Sequence, residues 1–158
     1  MLHSVNSGTV TRTNPVRNWG IAWVSLALAI ALHVADEALT GFLPLYNVVV
    51  ESLRESHSWI PLPTFSFTVW ITGLSIGVLA LLGLSPLVFA GSRPLRPVAY
   101  FLGILMVGNA IGHIGASFYW GKLVPGVYSS PILLAAALAL LITTYTTRPG
   151  QKRVSSGA

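Results

Sequence analysis

Residues 19–39 read WGIAWVSLALAIALHVADEAL, and this stretch decides the fold. Its opening, Trp19 to Leu32, carries no charge, and HVADE then places an imidazole and two carboxylates within five residues. A helix needs about 20 mostly apolar residues to cross a hydrocarbon core about 30 Å thick. The stretch reaches that length only if His33, Asp36 and Glu37 go into the membrane with it. Three further apolar stretches follow, over residues 64–89, 98–121 and 131–147. Ser129 and Ser130 before Pro131 predict a helix start with a serine cap and a proline in the first turn.

The pattern predicts an all-α, polytopic membrane protein, a bundle of four transmembrane helices over 19–147. Flexible cytoplasmic termini are expected at 1–18 and 148–158. Composition agrees. Of the 158 residues 53% are hydrophobic and 8% charged, and mean hydropathy is +0.72, whereas soluble domains carry about 25% charged residues. An ordinary cytosolic domain and extended disorder are both excluded. The absence of cysteine excludes disulfides, thiolate metal sites and cysteine nucleophiles.

Orientation follows from the basic residues, which are retained on the cytoplasmic side of short loops. Arg12, Arg17, Arg93, Arg96, Arg148, Lys152 and Arg153 fall on one side of the four spans, and only Arg54 and Lys122 on the other. Both termini are therefore expected to be cytoplasmic, with the chain integral to the plasma membrane. The pI near 10.1 reflects topology rather than a nucleic-acid partner. Trp19 is expected at the inner interface, and Trp59, Tyr119 and Trp120 at the outer one. In the outer segment 41–63, Leu45, Val48, Val49 and Leu53 share one helical face and Asn47, Glu51, Arg54 and Glu55 the other. That spacing predicts a short interfacial helix over the membrane. An alternative reading takes Arg17, the apolar run and Ala29-Ile30-Ala31 as a signal peptide with its cleavage site, although the polar lead is long for one.

An ionisable side chain at mid-membrane costs about 2.5–3.5 kcal/mol on insertion scales, so three together call for a reason. His33 stands three residues before Asp36 and four before Glu37, which puts all three on one side of a helix, with Thr40 continuing the stripe. Asn109 and His113 are likewise four apart, and Ala116 and Trp120 extend their face. Counted at 1.5 Å per residue from the inner ends of their spans, His33 and His113 both lie about 21–23 Å along. Gly108/Gly112 and Gly73/Gly77 form small-xxx-small pairs of the kind that admits close helix approach.

His33-Val34-Ala35-Asp36-Glu37, then Asn109 to His113, then Leu123-Val124-Pro125-Gly126 resemble, in type and order, the small integral-membrane family named for its HXXEE motif. The likeness covers roughly residues 20–135. Two positions depart from it: Asp36 stands for the first Glu, and Leu123 for the tyrosine of the Tyr-x-Pro-Gly turn, with Tyr119 or Tyr128 as candidate substitutes. The resemblance implies a membrane protein with a site at these residues and leaves its reaction open.

Several chemistries fit the residues. As a metal centre, zinc or non-haem iron would take His33, Glu37 and His113 as ligands, with Asp36 as a fourth ligand or a partner behind the ligands and Asn109 as an orienting hydrogen bond. As a metal-free acid/base site, Glu37 would donate a proton and His113 accept one, with Asp36 and Asn109 assisting, in an isomerase or hydrolase acting on a lipid or another hydrophobic molecule. The helix over Leu45 to Leu53 is a candidate lid. Two non-enzymatic readings stand beside these: a proton, ion or small-solute pathway, and a structural polar cluster at a partly hydrated helix end.

Overall fold

The computed structural model describes residues 14–57, 59 and 61–147, and the expectations for the remaining terminal residues lie outside that range. Five helices follow one another: α1 (Pro15–Thr40), α2 (Phe42–Ser56), α3 (Phe67–Phe89), α4 (Leu95–Trp120) and α5 (Ser130–Thr146). The all-α expectation holds, with no strand among the described residues. Three helices, α1, α3 and α4, are long and apolar enough to cross a membrane. The expected fourth span, α5, has 17 residues, about 25 Å of helix at 1.5 Å per residue, which is short of a bilayer core.

The first helix starts earlier than its apolar stretch. Asn14 caps it, its side-chain oxygen accepting from the amides of Val16 and Arg17 at 3.1 and 3.3 Å, and Pro15 occupies the first turn. Residues 15–18, expected to be flexible, are therefore helical, because cap and proline together satisfy a helix start four residues before the hydrophobic run. At the other end Gly41 adopts a left-handed φ of 80° and donates its amide to the Glu37 carbonyl. The same residue opens α2, so the chain turns sharply with a one-residue link.

α1 lies in the middle. α3 packs on one flank and α5 on the other, and α4 packs on α5. The core runs through this fan from Val88 through Trp19, Trp23 and Leu26 to Leu133, Leu140 and Ala110. Trp19, expected at an interface, is fully buried, with the Arg96 guanidinium 5.8 Å above its ring. Arg96 also donates to the Thr147 carbonyl, and the Thr147 hydroxyl donates to Pro15 at 3.1 Å. One end of the molecule thus gathers the starts of α1 and α4 and the end of α5. Trp59, Tyr119 and Trp120 are exposed.

A short helix, α2, forms in the outer segment where the sequence predicts one. Leu45, Val48, Val49 and Leu53 are exposed on it, while Leu43 and Val50 are buried. Asn47, on the other face, exchanges two hydrogen bonds with the backbone of Phe65, at 2.9 and 3.1 Å. These tie α2 to the α2–α3 connection, and Tyr46 adds a bond to the Pro63 carbonyl. The glycine pairs do not bring helices together: a Cβ at Gly73, Gly77, Gly108 or Gly112 would meet open space. Close approach occurs at Gly20, where a Cβ would sit 2.3 Å from the Phe89 ring, and at Gly103, 2.6 Å from Leu141.

Gly20→Val should therefore destabilise the fold by about 1–3 kcal/mol, the usual cost of overpacking. Gly73→Ala should hold or slightly raise stability, since it only restricts the unfolded chain. Thermal unfolding of the detergent-solubilised variants decides between them, and equal midpoints would contradict the packing described.

Candidate metal centre

His33 and Glu37 sit one turn apart on α1, which sends both side chains to the same side. α4 runs in the same direction and brings His113 to the same height. The two helices reach one another at this point: the imidazoles of His33 and His113 lie with centroids 4.9 Å apart, edge to face. Glu37 Oε1 is 3.1 Å from His113 Nε2 and 3.5 Å from His33 Nε2. All three side chains are buried, at 8% exposure or less, and one ligand atom from each falls within 4.8 Å of the others. No lysine or arginine among the described residues pairs with Glu37 or Asp36.

Asp36 does not join the three. Its carboxylate turns to the first residues of α5, where Oδ2 accepts from the Ser129 amide at 2.9 Å and from the Ser129 hydroxyl at 2.7 Å. The Ser129 oxygen in turn lies 2.8 Å from His33 Nδ1. Asp36 therefore acts behind His33, through a serine, rather than as a fourth ligand. Ser129 does occupy the cap position of α5, as its sequence predicts, but makes no side-chain cap bond. The hydroxyl is committed to Asp36 and His33 instead.

This commitment fixes the imidazole. A serine hydroxyl has one proton, and an ionised carboxylate 2.7 Å away is its strongest acceptor. The serine oxygen then accepts from His33, which puts a proton on Nδ1. In the neutral ring Nε2 keeps a lone pair, and that atom is buried without a hydrogen-bond partner. It faces a carboxylate oxygen that faces a second imidazole nitrogen.

The turn between α4 and α5 closes the chamber. Gly126 has a φ of 84°, and a Cβ there would come within 2.8 Å of His113 and 3.1 Å of Glu37, so both its conformation and its surroundings demand glycine. Its amide donates to the Thr40 hydroxyl at 3.3 Å, and its carbonyl accepts from Ser130 at 2.8 Å. Phe42 covers His113 from the other side, with ring centroids 5.4 Å apart. Comparison with known protein families, curated proteins and solved structures returns no match for this chain, so the site is read from its own geometry.

A cavity of about 330 Å³ opens beside His113, bounded by α2, α4 and the Val124-Pro125 turn. Asn109 lines it, one turn before His113, but makes no hydrogen bond to either histidine, and its Oδ1 is buried without a partner. The expected orienting role is not what the structure contains, because Ser129 already orients His33. Leu123, Tyr119 and Tyr128 all point outward at 65%, 85% and 65% exposure, and none lines the cavity. The tyrosine on the cavity wall is Tyr46 of α2. Sequence reasoning missed Ser129 and Phe42 as parts of the site. A serine pair before a proline was the available signal for the first, and it was consistent with simple capping.

Ser129→Ala should lower thermal stability by about 1–3 kcal/mol, since it strips partners from buried His33 and from Asp36. Tyr128→Phe, one residue away and largely exposed, should leave the midpoint unchanged in the same assay.

Proposed function

We propose that His33, Glu37 and His113 bind a divalent transition metal, zinc or non-haem iron, and that the protein is a membrane-embedded enzyme acting on a hydrophobic substrate. The observation that carries this reading is the buried, unpartnered Nε2 of His33, on a ring held by the Asp36–Ser129 pair so that this atom faces Glu37. His33 Nε2 and Glu37 Oε1 face each other at 3.5 Å without a hydrogen bond, and two buried electron-pair donors so placed repel unless a cation lies between them. Two imidazoles and a carboxylate are the donor set of open zinc and non-haem iron sites. A ligand histidine whose other nitrogen is held through a carboxylate network is the usual support for such sites. The formal charges of Asp36 and Glu37 balance one divalent ion.

Bound there, the metal would supply Lewis acidity and a coordination position open toward the cavity. Glu37 and the histidines hold it, Asp36 and Ser129 fix the ring of His33, Phe42 and Gly126 exclude water, and Asn109 meets the substrate. The alternative is metal-free acid/base chemistry at Glu37 and His113, favoured by their 3.1 Å separation, which is hydrogen-bond length. A transport role finds less support, because Thr143, Thr144 and Thr146 spend their hydroxyls on carbonyls of their own helix.

The wider placement belongs to the same proposal. α5 crosses the bilayer as a fourth, short span, screened from lipid on two sides by α1 and α4, with both termini cytoplasmic in the plasma membrane. The order of His33-x-x-Asp36-Glu37, Asn109-x-x-x-His113 and Pro125-Gly126 supports grouping the chain with the HXXEE-motif proteins.

Elemental analysis of the detergent-purified protein should find close to one equivalent of zinc or iron. His33→Ala, His113→Ala and Glu37→Gln should lose it, and Ser129→Ala should weaken binding by about 10- to 100-fold, the usual effect of removing a ligand's support. A metal-free protein whose activity survives chelation and depends on Glu37 would establish the acid/base alternative. Retention of metal by all three ligand variants would refute the site.

A further inference from the structure

The chamber beside His113 has a polar end and an apolar body. Asn109 and His113 supply the polar end, while Leu45 and Val49 of α2 and Ala116 and Trp120 of α4 supply the walls. The Asn109 side chain makes no hydrogen bond to another described residue, its Oδ1 being buried without a donor, and its amide is the uncharged polar group on the cavity wall next to His113. No lysine or arginine lines the cavity, and Asp36 and Glu37 already balance a divalent ion at the cluster, so a phosphate or carboxylate head would bring an uncompensated negative charge. At about 330 Å³ the space lies at the small end for ligand sites. A hydroxyl or carbonyl head and the first part of one chain fit it better than a two-chain lipid.

A second apolar chamber, of about 430 Å³, lies on the other side of the same two aromatic residues. Phe42 and Tyr46 line both spaces, and the far one is completed by Phe65, Val69, Trp70 and Gly73. Tyr46 directs its hydroxyl to the Pro63 carbonyl, leaving no charged group along the second chamber. Gly108 and Gly112 in the first chamber and Gly73 in the second face open space, so missing side chains make the room in both.

We infer that the substrate is a single-chain amphiphile with a small uncharged hydrogen-bonding head, seated with its head at Asn109 beside His113 and its chain running under α2, past Phe42 and Tyr46, into the chamber at Trp70. The inference rests on the reading of the His113 cluster as a reactive site and adds the class of molecule it takes. The partition by Phe42 and Tyr46 makes chain length the property the protein measures. A short chain fills the first chamber only, and a long one needs both.

The test uses the full-length protein in phosphatidylcholine nanodiscs and long-chain n-alkanols carrying a diazirine near the head or near the tail. After irradiation, the head-end probe should label α4 around Ala116 and Trp120, and the tail-end probe α3 around Val69 and Trp70. Unlabelled long-chain alkanol should displace both. Gly73→Phe should reduce tail-end labelling by at least about tenfold, a hydrophobic-pocket effect, while sparing a short-chain probe; Gly112→Phe should suppress both. Label spread along lipid-facing Ile76 and Leu79 and insensitive to competitor would overturn the inference in the unmutated protein, whatever the variants do. Equal capture of a diazirine-bearing diacyl phospholipid at the same residues would also overturn it. Metal content of the same samples separates the two ideas: metal without saturable capture refutes only the substrate class, and capture without metal refutes only the metal centre.

Discussion

One hydroxyl proton organises this site. Ser129 Oγ stands between a carboxylate and an imidazole, 2.7 Å from Asp36 and 2.8 Å from His33, and cannot donate to both. Giving its proton to Asp36 obliges it to accept from Nδ1, and that choice turns the opposite nitrogen of His33 into a bare donor of electrons. The helix start of α5 thus loses its usual side-chain cap so that a ring on α1 can be locked. Asp36 gains in turn, since a carboxylate beside the amide of Ser129 lies at the positive end of the α5 dipole.

The fan of helices explains how so small a chain keeps three ionisable groups out of contact with lipid. α1 is flanked by α3 and α5, so the side of α1 bearing His33 and Glu37 is enclosed by the Gly126 turn, Phe42 and α4. At the opposite end Arg96, Trp19, Thr147 and Pro15 clamp the same elements together. The middle of the assembly is apolar, through Leu26, Ala110 and Leu133. Polar groups therefore gather at the two ends, and the end bearing HVADE joins them to a cavity.

Much of this was legible from residue spacing. The i, i+4 relation of His33 to Glu37, and the matching depth of His33 and His113, follow from helix geometry alone; that α1 and α4 meet at that depth, which brings all three together, is a fact of packing. Asp36 was legible as a neighbour but not in its direction, because the choice between facing His113 and facing α5 is made by Ser129, ninety-three residues away. What spacing left open shares a cause. The seat of Asn47 on the Phe65 backbone, the packing around Trp19 and the open surroundings of Gly73 and Gly112 all depend on which helix packs where, and periodicity within one helix carries no such information. The start of α1 was missed for a local reason: hydropathy marks where a helix becomes apolar, whereas Asn14 and Pro15 mark where it begins.

The backbone of residue 126 pressed against both His113 and Glu37 bears on how other proteins with this chamber could be found. At φ 84° and with His113 and Glu37 within 3.1 Å of where a Cβ would stand, position 126 has room for no side chain. A search for this chamber would therefore gain from requiring, beside the charged pentad, a glycine three residues before a serine at the start of a later helix.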